Sequence, residues 1–191
     1  MAIKRRDVYL SGPPGSGKST LVARAVELAV NLGCRVAGFY APEVRGRTGE
    51  RIGFDIVDVS SGRSWCLARK GVPGTVRVGS YTVCTDQASE AAGVLRGLIG
   101  SADYIVLDEI GPMELKVPEL RQLILEILGL NKPVTGVVHR KLKTSHPNIY
   151  AIIARRGLIL WVTRENRESI GKRYLQLVEA IAVEACTGKG G

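Results

Sequence analysis

The sequence predicts a three-layer α/β fold, in which a mostly parallel β-sheet carries helices on both faces and includes a β-hairpin insertion. Short apolar stretches of strand character alternate with longer stretches in which apolar residues recur at helical spacing. A glycine-rich run at residues 12–20 joins a strand at 7–10 to a helix at 21–29. At residues 43–84, glycines separate short strand-like pieces and indicate antiparallel hairpins.

The first half of the chain continues from this opening unit. Gly33 is suited to end the first helix, because glycine readily adopts the left-handed conformation found at many helix C-termini. Residues 35–40 form the second predicted strand. Beyond the insertion, Asp86 is the predicted N-cap of a helix at about 87–99, and residues 103–108 form a buried strand.

The second half repeats the alternation of strands and helices. The next helix is indicated by apolar residues that recur on one face, with a glycine near its end: Leu120, Leu123, Ile124, Ile127, Leu128 and Gly129. A strand at 134–138, a helix at about 146–156 and a strand at 158–162 follow. The last helix is predicted over about residues 165–185.

Length and composition favour one domain over residues 1–186, with the insertion at 43–84 inside it and a flexible tail at 187–191. Hydrophobic residues make up 45% and charged residues 24% of the chain, as in ordinary soluble proteins. No apolar run approaches the roughly 18 residues that a membrane-spanning helix needs. We therefore expect a cytoplasmic protein.

Four cysteines lie far apart in the chain: Cys34, Cys66, Cys84 and Cys186. No two of them form a C-x-x-C pair, so neither a zinc site nor a redox motif is indicated. We expect small core residues. A disulfide between two of them stays open as an alternative, but the sequence indicates no pairing.

The chain carries a net charge of +9, from 27 basic and 18 acidic side chains. The basic excess lies towards the two ends, whereas residues 75–135 are net acidic. A positive surface attracts polyanions, which include nucleic acids as well as nucleoside triphosphates. Aromatic residues make up only 5%, so platforms for stacking bases are scarce. Nucleic-acid binding stays open, but a solvated basic surface is favoured over it.

The glycine-rich run fits the pattern G-x-x-x-x-G-K-[ST] between a strand and a helix, the context of a phosphate-binding loop, or P-loop. Glycines let backbone N–H groups surround phosphates at a helix N-terminus, where the helix dipole favours an anion. The predicted nucleotide-binding residues of the loop are Gly12, Pro13, Pro14, Gly15, Ser16, Gly17, Lys18, Ser19 and Thr20. The alternative is a Gly-Pro turn that caps an ordinary helix.

Three side chains of the loop have particular expected tasks. Lys18 is predicted to bind the β- and γ-phosphates and to act in catalysis. The Ser19 hydroxyl is predicted to ligate Mg²⁺, which prefers hard oxygen ligands. Thr20 is a weaker contact near the α-phosphate.

Two adjacent carboxylates, Asp108 and Glu109, stand where the buried strand at 103–108 ends. In parallel α/β sheets, ligands bind outside the carboxyl ends of the strands, so this pair is expected to face the phosphate loop. Asp108 is the predicted second ligand of Mg²⁺. Glu109 is predicted to orient or deprotonate the attacking water. Taken alone, such a strand end more often forms a simple turn.

His139 and Arg140 follow the next strand and are candidate contacts to the γ-phosphate. A solvated loop is an equally good interpretation of these two residues. Five further arginines are weaker candidates for a transition-state contact, with a charged surface as the expectation for them: Arg45, Arg47, Arg51, Arg164 and Arg167.

Several stretches together carry a resemblance to a known family. They are residues 12–21, Glu43-Val44-Arg45, Arg51-Ile52-Gly53-Phe54, Val78-Gly79-Ser80-Tyr81 and Asp108-Glu109-Ile110-Gly111-Pro112-Met113-Glu114. Over about residues 5–180 the chain resembles the small P-loop nucleoside-triphosphatases, a family typified by thermophile enzymes and a human cancer-related nucleoside triphosphatase. The phosphate loop is common to all P-loop NTPase folds, whereas the later stretches are far more selective.

The resemblance implies Mg²⁺-dependent hydrolysis of ATP, GTP and other nucleoside triphosphates, with weaker action on diphosphates. It implies nucleotide contacts at residues 12–19 and at the strand end, where Asp108, Glu109, Ile110 and Gly111 lie. The chain departs from the family at residues 82–84, since members often carry an acidic residue after the Gly-x-Tyr stretch.

The leading hypothesis is therefore a nucleoside-triphosphatase that releases nucleoside diphosphate and phosphate. A nucleotide or nucleoside kinase is the first alternative, because it uses the same loop, although no acceptor motif stands out. A nucleotide-dependent regulator that binds nucleic acid is the second, and the charge of +9 keeps it open. The sequence indicates neither base preference nor oligomeric state.

Overall fold

A computed structural model describes residues 6–186, so the tail predicted at 187–191 lies outside the described residues. The strands are β1 (Asp7–Ser11), β2 (Val36–Tyr40), β3 (Glu43–Arg45), β4 (Arg51–Asp58), β5 (Ser64–Lys70), β6 (Arg77–Val78), β7 (Tyr81–Val83), β8 (Tyr104–Ile110), β9 (Val134–Val138) and β10 (Gly157–Trp161). The helices are α1 (Lys18–Asn31), α2 (Thr85–Ile99), α3 (Pro112–Lys116), α4 (Pro118–Gly129), α5 (Leu142–Ser145), α6 (Pro147–Arg156) and α7 (Arg167–Cys186). Across the described range, none of these helices is both long and apolar enough to cross a membrane.

All these strands belong to one sheet, in the order β10-β1-β9-β8-β2-β4-β5-β7-β6, with β3 paired to β4. The five strands from β10 to β2 pair in parallel, which confirms the predicted parallel centre. The predicted insertion forms β3 to β7, and these strands pair antiparallel. Because β4 pairs with β2, the insertion continues the central sheet instead of standing apart from it.

The sheet separates two apolar cores. Val8 and Leu10 of β1 pack with α1 and α7 on one face, whereas Tyr9 between them packs with α2 and α4 on the other. This alternation follows from the strand geometry, in which successive side chains point to opposite faces. Full burial of one such side chain stabilises the fold by about 1.5–3 kcal/mol. The result is the predicted three-layer arrangement.

Two helix starts differ from the prediction. Cys84, not Asp86, is the N-cap residue of α2, and its carbonyl accepts the Ala88 N–H at 3.0 Å. Asp86 lies in the first turn instead, where its charge still suits the helix dipole. The last helix begins later than predicted, because Thr163 and Asn166 exchange side-chain-to-backbone hydrogen bonds that hold a turn before it.

The short helices α3 and α5 are absent from the prediction, because five and four residues are too few to show helical periodicity. Gly33 behaves as predicted at the end of α1. Its φ of 82° lies in the left-handed region, and its N–H donates to the carbonyl of Val30 over 2.9 Å.

All four cysteines form disulfides, Cys34 with Cys186 and Cys66 with Cys84. The expectation of small core thiols is therefore wrong. Both pairings follow from the topology, which the cysteine spacing does not reveal. α1 packs on α7, so the chain just after α1 meets the end of α7. β5 pairs with β7, so Cys66 of β5 lies near the residue that follows β7.

Candidate active site

The phosphate loop lies between the end of β1 and the start of α1, as predicted. A Cβ atom at Gly12 would lie 2.1 Å from the carbonyl oxygen of Val162, so no larger residue fits against the chain after β10. Gly17 caps α1 with a φ of 90°, a conformation that glycine adopts without steric cost. Its carbonyl accepts the Leu21 N–H and opens the helix. The loop thus places backbone N–H groups at a helix N-terminus, which favours an anion.

Lys18 connects the loop to the carboxylates of β8. Its ammonium group donates to the Pro13 carbonyl at 2.7 Å and to the Ser16 hydroxyl at 3.3 Å. Partial burial lowers the pKa of Lys18, while the negative charges of Glu109 and Asp108 oppose that shift. The predicted phosphate-binding cation and the two predicted carboxylates therefore share one site.

β8 runs on to Ile110, so Asp108 and Glu109 lie within the strand and not after its end. Asp108 pairs with Val137 and Ile110 with Val138, which makes Glu109 the extra residue of a bulge. Neighbouring side chains of a regular strand point to opposite faces. The bulge explains why Asp108 and Glu109 line the same cavity.

Asp108 is almost fully buried and accepts a hydrogen bond from the Ser19 hydroxyl. Burial raises the pKa of Asp108 to about 6, and the bond from Ser19 and the charge of Lys18 act in the opposite direction. Burial also raises the pKa of Glu109 to about 7, with a further contribution from the negative charge of Asp108. Two hard oxygen groups, on Ser19 and Asp108, thus meet beside a second carboxylate.

Glu114 is a third carboxylate of the site that was not predicted to act there. It lies on α3, is 4% exposed and lines the same cavity. Burial raises its pKa to about 8, together with the charge of Glu109, while backbone N–H groups of Glu114 and Gly111 oppose the shift. Gly111 is enclosed between these carboxylates, since a Cβ atom there would lie 3.0 Å from Glu109 Oε1 and 3.1 Å from Glu114 Oε2. The one-turn helix α3 brings Glu114 back towards Glu109. It is too short to produce a helical periodicity in the sequence, so the position of Glu114 was not predicted.

Ile110 and Gly111 were predicted to contact the nucleotide, but neither lines the cavity. Ile110 is fully buried in the core, and its carbonyl accepts the His139 N–H at 3.0 Å. It therefore presents no side chain to the cavity. Gly17 and Thr20 line a different groove, of about 1,060 Å³, between α1 and α7.

His139 and Arg140 follow β9 and line the cavity, as their position after a parallel strand predicts. Burial lowers the pKa of His139, as do the positive charges of Arg140, Lys141 and Lys18. Nδ1 of His139 accepts the Lys141 N–H at 3.3 Å, so the neutral ring carries its proton on Nε2. Arg140 lies close enough to Lys18 for its charge to lower the pKa of Lys18.

Arg164 and Arg167 lie against the phosphate loop, although the sequence favoured a charged surface for them. A Cβ atom at Gly15 would lie 3.5 Å from Arg164 Nη2, and one at Gly17 would lie 2.7 Å from Arg167 Cδ. Both arginines follow β10, which pairs in parallel with β1. The sequence alone does not reveal that β10 lies next to β1. If that strand order were known, the two arginines would be expected beside the phosphate loop.

The cavity measures about 520 Å³ and has two ends. The inner end is lined by the phosphate loop, Asp108, Glu109, His139 and Arg140. The opposite end is formed by the insertion, and we call its residues the outer wall: Glu43, Arg51, Phe54, Val78 and Tyr81. Arg51 thus lines the cavity, whereas Arg45 does not and donates instead to Glu43 and to the Gly49 carbonyl.

Comparison with known sequences gives a consistent result. Residues 7–175 match the model of a family described as NTPase. A nucleoside-triphosphatase THEP1 from Hyperthermus butylicus is 42% identical over 184 residues, which cover 96% of each chain. The nucleoside-triphosphatase THEP1 of Saccharolobus solfataricus is 40% identical over 171 residues, which cover 90% of this chain and 91% of that relative.

Comparison with solved structures agrees. The crystal structure of THEP1 from the hyperthermophile Aquifex aeolicus superimposes with a TM-score of 0.76 at 31% identity, covering 91% of this chain and 99% of that one. The solution structure of a human cancer-related nucleoside triphosphatase gives a TM-score of 0.74 at 31% identity, covering 92% and 98%. The fold and the sequence therefore resemble the same group of proteins.

Proposed function

The chain belongs to the NTPase family, and on that premise we propose that it hydrolyses ATP, GTP and other nucleoside triphosphates to the diphosphate and phosphate. We propose that diphosphates are hydrolysed more weakly. The observation that carries the proposal is the meeting of Lys18, Asp108 and Glu109 in one cavity at the N-terminus of α1.

The phosphate loop binds the triphosphate. Backbone N–H groups of residues 15–19 surround the phosphates, and Lys18 moves its ammonium group from the Pro13 carbonyl to the β- and γ-phosphates. His139, through its Nε2 proton, and Arg140 contact the γ-phosphate. Arg164 and Arg167 lie along the loop, where their charges complement the phosphates.

The residues present fit Mg²⁺. The Ser19 hydroxyl and the Asp108 carboxylate are hydrogen-bonded to each other and offer the hard oxygens that this ion prefers. Between residues 6 and 186, no cluster of three or more His, Cys, Asp or Glu could hold a metal by itself. Mg²⁺ usually takes one or two protein oxygens and completes its shell with phosphates and water. When bound, Mg²⁺ neutralises the charge that develops on the phosphate oxygens.

Glu109 orients the attacking water and accepts its proton. It lies next to Asp108 in the bulge, and because Asp108 is engaged with Ser19, Glu109 is the one of these two adjacent carboxylates that faces the water. Glu114 lies across Gly111 from Glu109, and the negative charge of Glu109 contributes to the raised pKa of Glu114, so the two carboxyl groups are close neighbours. A positioned general base contributes about 10²- to 10⁴-fold to the rate of such a reaction.

Phosphate release measured with Glu109→Gln tests this assignment. We expect turnover to fall at least about 100-fold while binding of a fluorescent triphosphate stays the same, because glutamine keeps the shape but cannot take a proton. Glu119→Gln, an exposed substitution on α4, is the matched control and should behave like the wild type. Wild-type phosphate release by Glu109→Gln would show that the base assignment is wrong.

The expected cytoplasmic location and the less favoured binding of nucleic acid stay predictions.

A further inference from the structure

The outer wall is not used by the proposed hydrolysis. Water and the terminal phosphate occupy the inner end of the cavity, between the phosphate loop and Glu109. Yet the cavity continues from there to Phe54 of β4 and Tyr81 of β7. These residues belong to the stretches at 51–54 and 78–81 that carry the family resemblance, and the proposed hydrolysis assigns them no role.

The outer wall is held in a fixed arrangement. The rings of Phe54 and Tyr81 meet edge to face, with centroids 5.3 Å apart and planes at 65°. Arg51 donates from Nε to the Tyr81 hydroxyl at 3.0 Å and from Nη1 to Glu43 Oε1 at 2.7 Å. Its guanidinium group also lies 5.4 Å from the centre of the Phe54 ring. Because these contacts fix the side chains in advance, little conformational entropy is lost when a ligand binds to them.

The chemistry of this end of the cavity selects the ligand. Aromatic and aliphatic side chains, here Phe54, Tyr81 and Val78, favour a flat ring. Arg51, the one cation of the outer wall, is already paired with Glu43, so it is not left to bind an anionic ligand. An acceptor phosphate is therefore disfavoured and an uncharged ligand is favoured. A volume of about 520 Å³, shared with the triphosphate, limits the ligand to a small molecule.

We propose that the outer wall binds a second substrate, a small uncharged heterocycle that carries a hydroxyl group, and that this hydroxyl replaces water as the phosphoryl acceptor. The hydroxyl oxygen forms a bond to the γ-phosphorus as the bond from that phosphorus to the β,γ-bridging oxygen breaks. The hydroxyl proton passes to the Glu109 carboxylate, and the nucleoside diphosphate leaves with the electron pair. The products are a phosphate monoester and a nucleoside diphosphate. This inference rests on the proposed position of the triphosphate.

The experiment follows the label from [γ-³²P]ATP, with phosphate monoesters separated from inorganic phosphate. Acceptors in separate reactions are the four ribonucleosides and 3-pyridinemethanol, which distinguish a nucleoside from a simple ring alcohol. We expect a labelled monoester with at least one of them, and none with Glu109→Gln. Phosphate release without any labelled monoester overturns the inference and leaves the proposed hydrolysis intact. If the wild type releases no inorganic phosphate when no acceptor is added, the proposed function itself is refuted.

Substitutions in the outer wall test the site itself. Phe54→Leu removes the ring on which the ligand stacks and should lower the ratio of labelled monoester to inorganic phosphate about tenfold. Tyr81→Phe keeps the ring but loses the hydrogen bond from Arg51, so the ratio should fall less than in Phe54→Leu. Arg45→Ala is the matched control, because Arg45 also pairs with Glu43 but lies outside the cavity. An unchanged ratio in Phe54→Leu would show that the outer wall holds no acceptor and would overturn the inference.

Discussion

Arg156, at the end of α6, donates from Nε and Nη2 to the carboxylate of Asp7 at the start of β1, over 2.7 and 3.2 Å. Asp7 is almost fully buried, and it also accepts the Tyr9 hydroxyl and the Val134 N–H. The other N–H groups of Arg156 donate to three backbone carbonyls, those of Leu128, Leu130 and Lys132. This network joins β1, β9, α4 and α6 at the end of the sheet away from the phosphate loop.

Removing this guanidinium should destabilise the fold. In Arg156→Ala the Asp7 carboxylate stays buried without its cation, so we expect the free energy of unfolding to fall by about 3–5 kcal/mol. Chemical denaturation measures the change. Arg155→Ala, an exposed substitution at the preceding position, is the control and should stay within about 0.5 kcal/mol of the wild type. Equal effects of the two substitutions would contradict a structural role for the pair.

Two glycine substitutions should have opposite effects on stability. Gly12→Ala places a Cβ atom 2.1 Å from the Val162 carbonyl oxygen, so we expect loss of both stability and triphosphate binding. Gly97→Ala lies within α2, where nothing approaches the new Cβ within 4 Å. Alanine should stabilise that helix by about 0.5–1 kcal/mol. Thermal melting of both variants checks the contrast, and stabilisation by Gly12→Ala would refute the close approach.

Lys18→Ala should weaken triphosphate binding. Charge-assisted hydrogen bonds contribute about 1.5–3 kcal/mol, so we expect the Kd of a fluorescent ATP analogue to rise about 10- to 100-fold. Lys116→Ala, at the exposed end of α3, removes the same charge away from the cavity and should leave the Kd unchanged. If both substitutions raise the Kd equally, overall charge and not Lys18 governs binding.

Glu114 should make the stability fall as the pH rises. Its pKa is about 8 in the folded protein against 4.5 for an ordinary glutamate, so the folded state holds the proton more tightly. The resulting stabilisation is complete below about pH 4.5 and is lost as the pH rises towards 8, at up to about 1.4 kcal/mol per pH unit. Glu114→Gln has no carboxyl group to lose a proton at this position. Its free energy of unfolding should therefore fall less than that of the wild type between pH 5 and pH 8.

Urea denaturation at these two pH values, without added Mg²⁺, measures the effect. Asp108 and Glu109 have raised pKa values too, so a reduced pH dependence is expected to remain in the variant. Glu119→Gln removes an exposed carboxylate whose pKa is lowered by the Ser89 hydroxyl, and it should not reduce the pH dependence. An unchanged pH dependence in Glu114→Gln would disprove the role of its burial.

The sequence predicted the parts of the fold and site that depend on local pattern. The phosphate loop, the parallel strands and the antiparallel character of residues 43–84 all follow from spacing and glycine content. Asp108 and Glu109 were expected at one edge because parallel strands end there. Arg164 and Arg167 were not expected at the loop, since their place depends on the pairing of β10 with β1.

Tertiary relationships account for the rest. Glu114 reaches the site through a five-residue helix, which is too short to be recognised by periodicity. The bulge at Glu109 arises where β8 pairs with β9, and a single strand carries no sign of it. The two disulfides likewise join residues brought together only by helix packing and strand pairing.

The Cys34–Cys186 disulfide links positions 152 residues apart, so the chain between them is a covalent ring. A single backbone cut within that ring opens it without releasing a fragment. The exposed turn at residues 47–50 is one place where a protease could make such a cut. The two pieces would then migrate together in a denaturing gel and separate only after reduction.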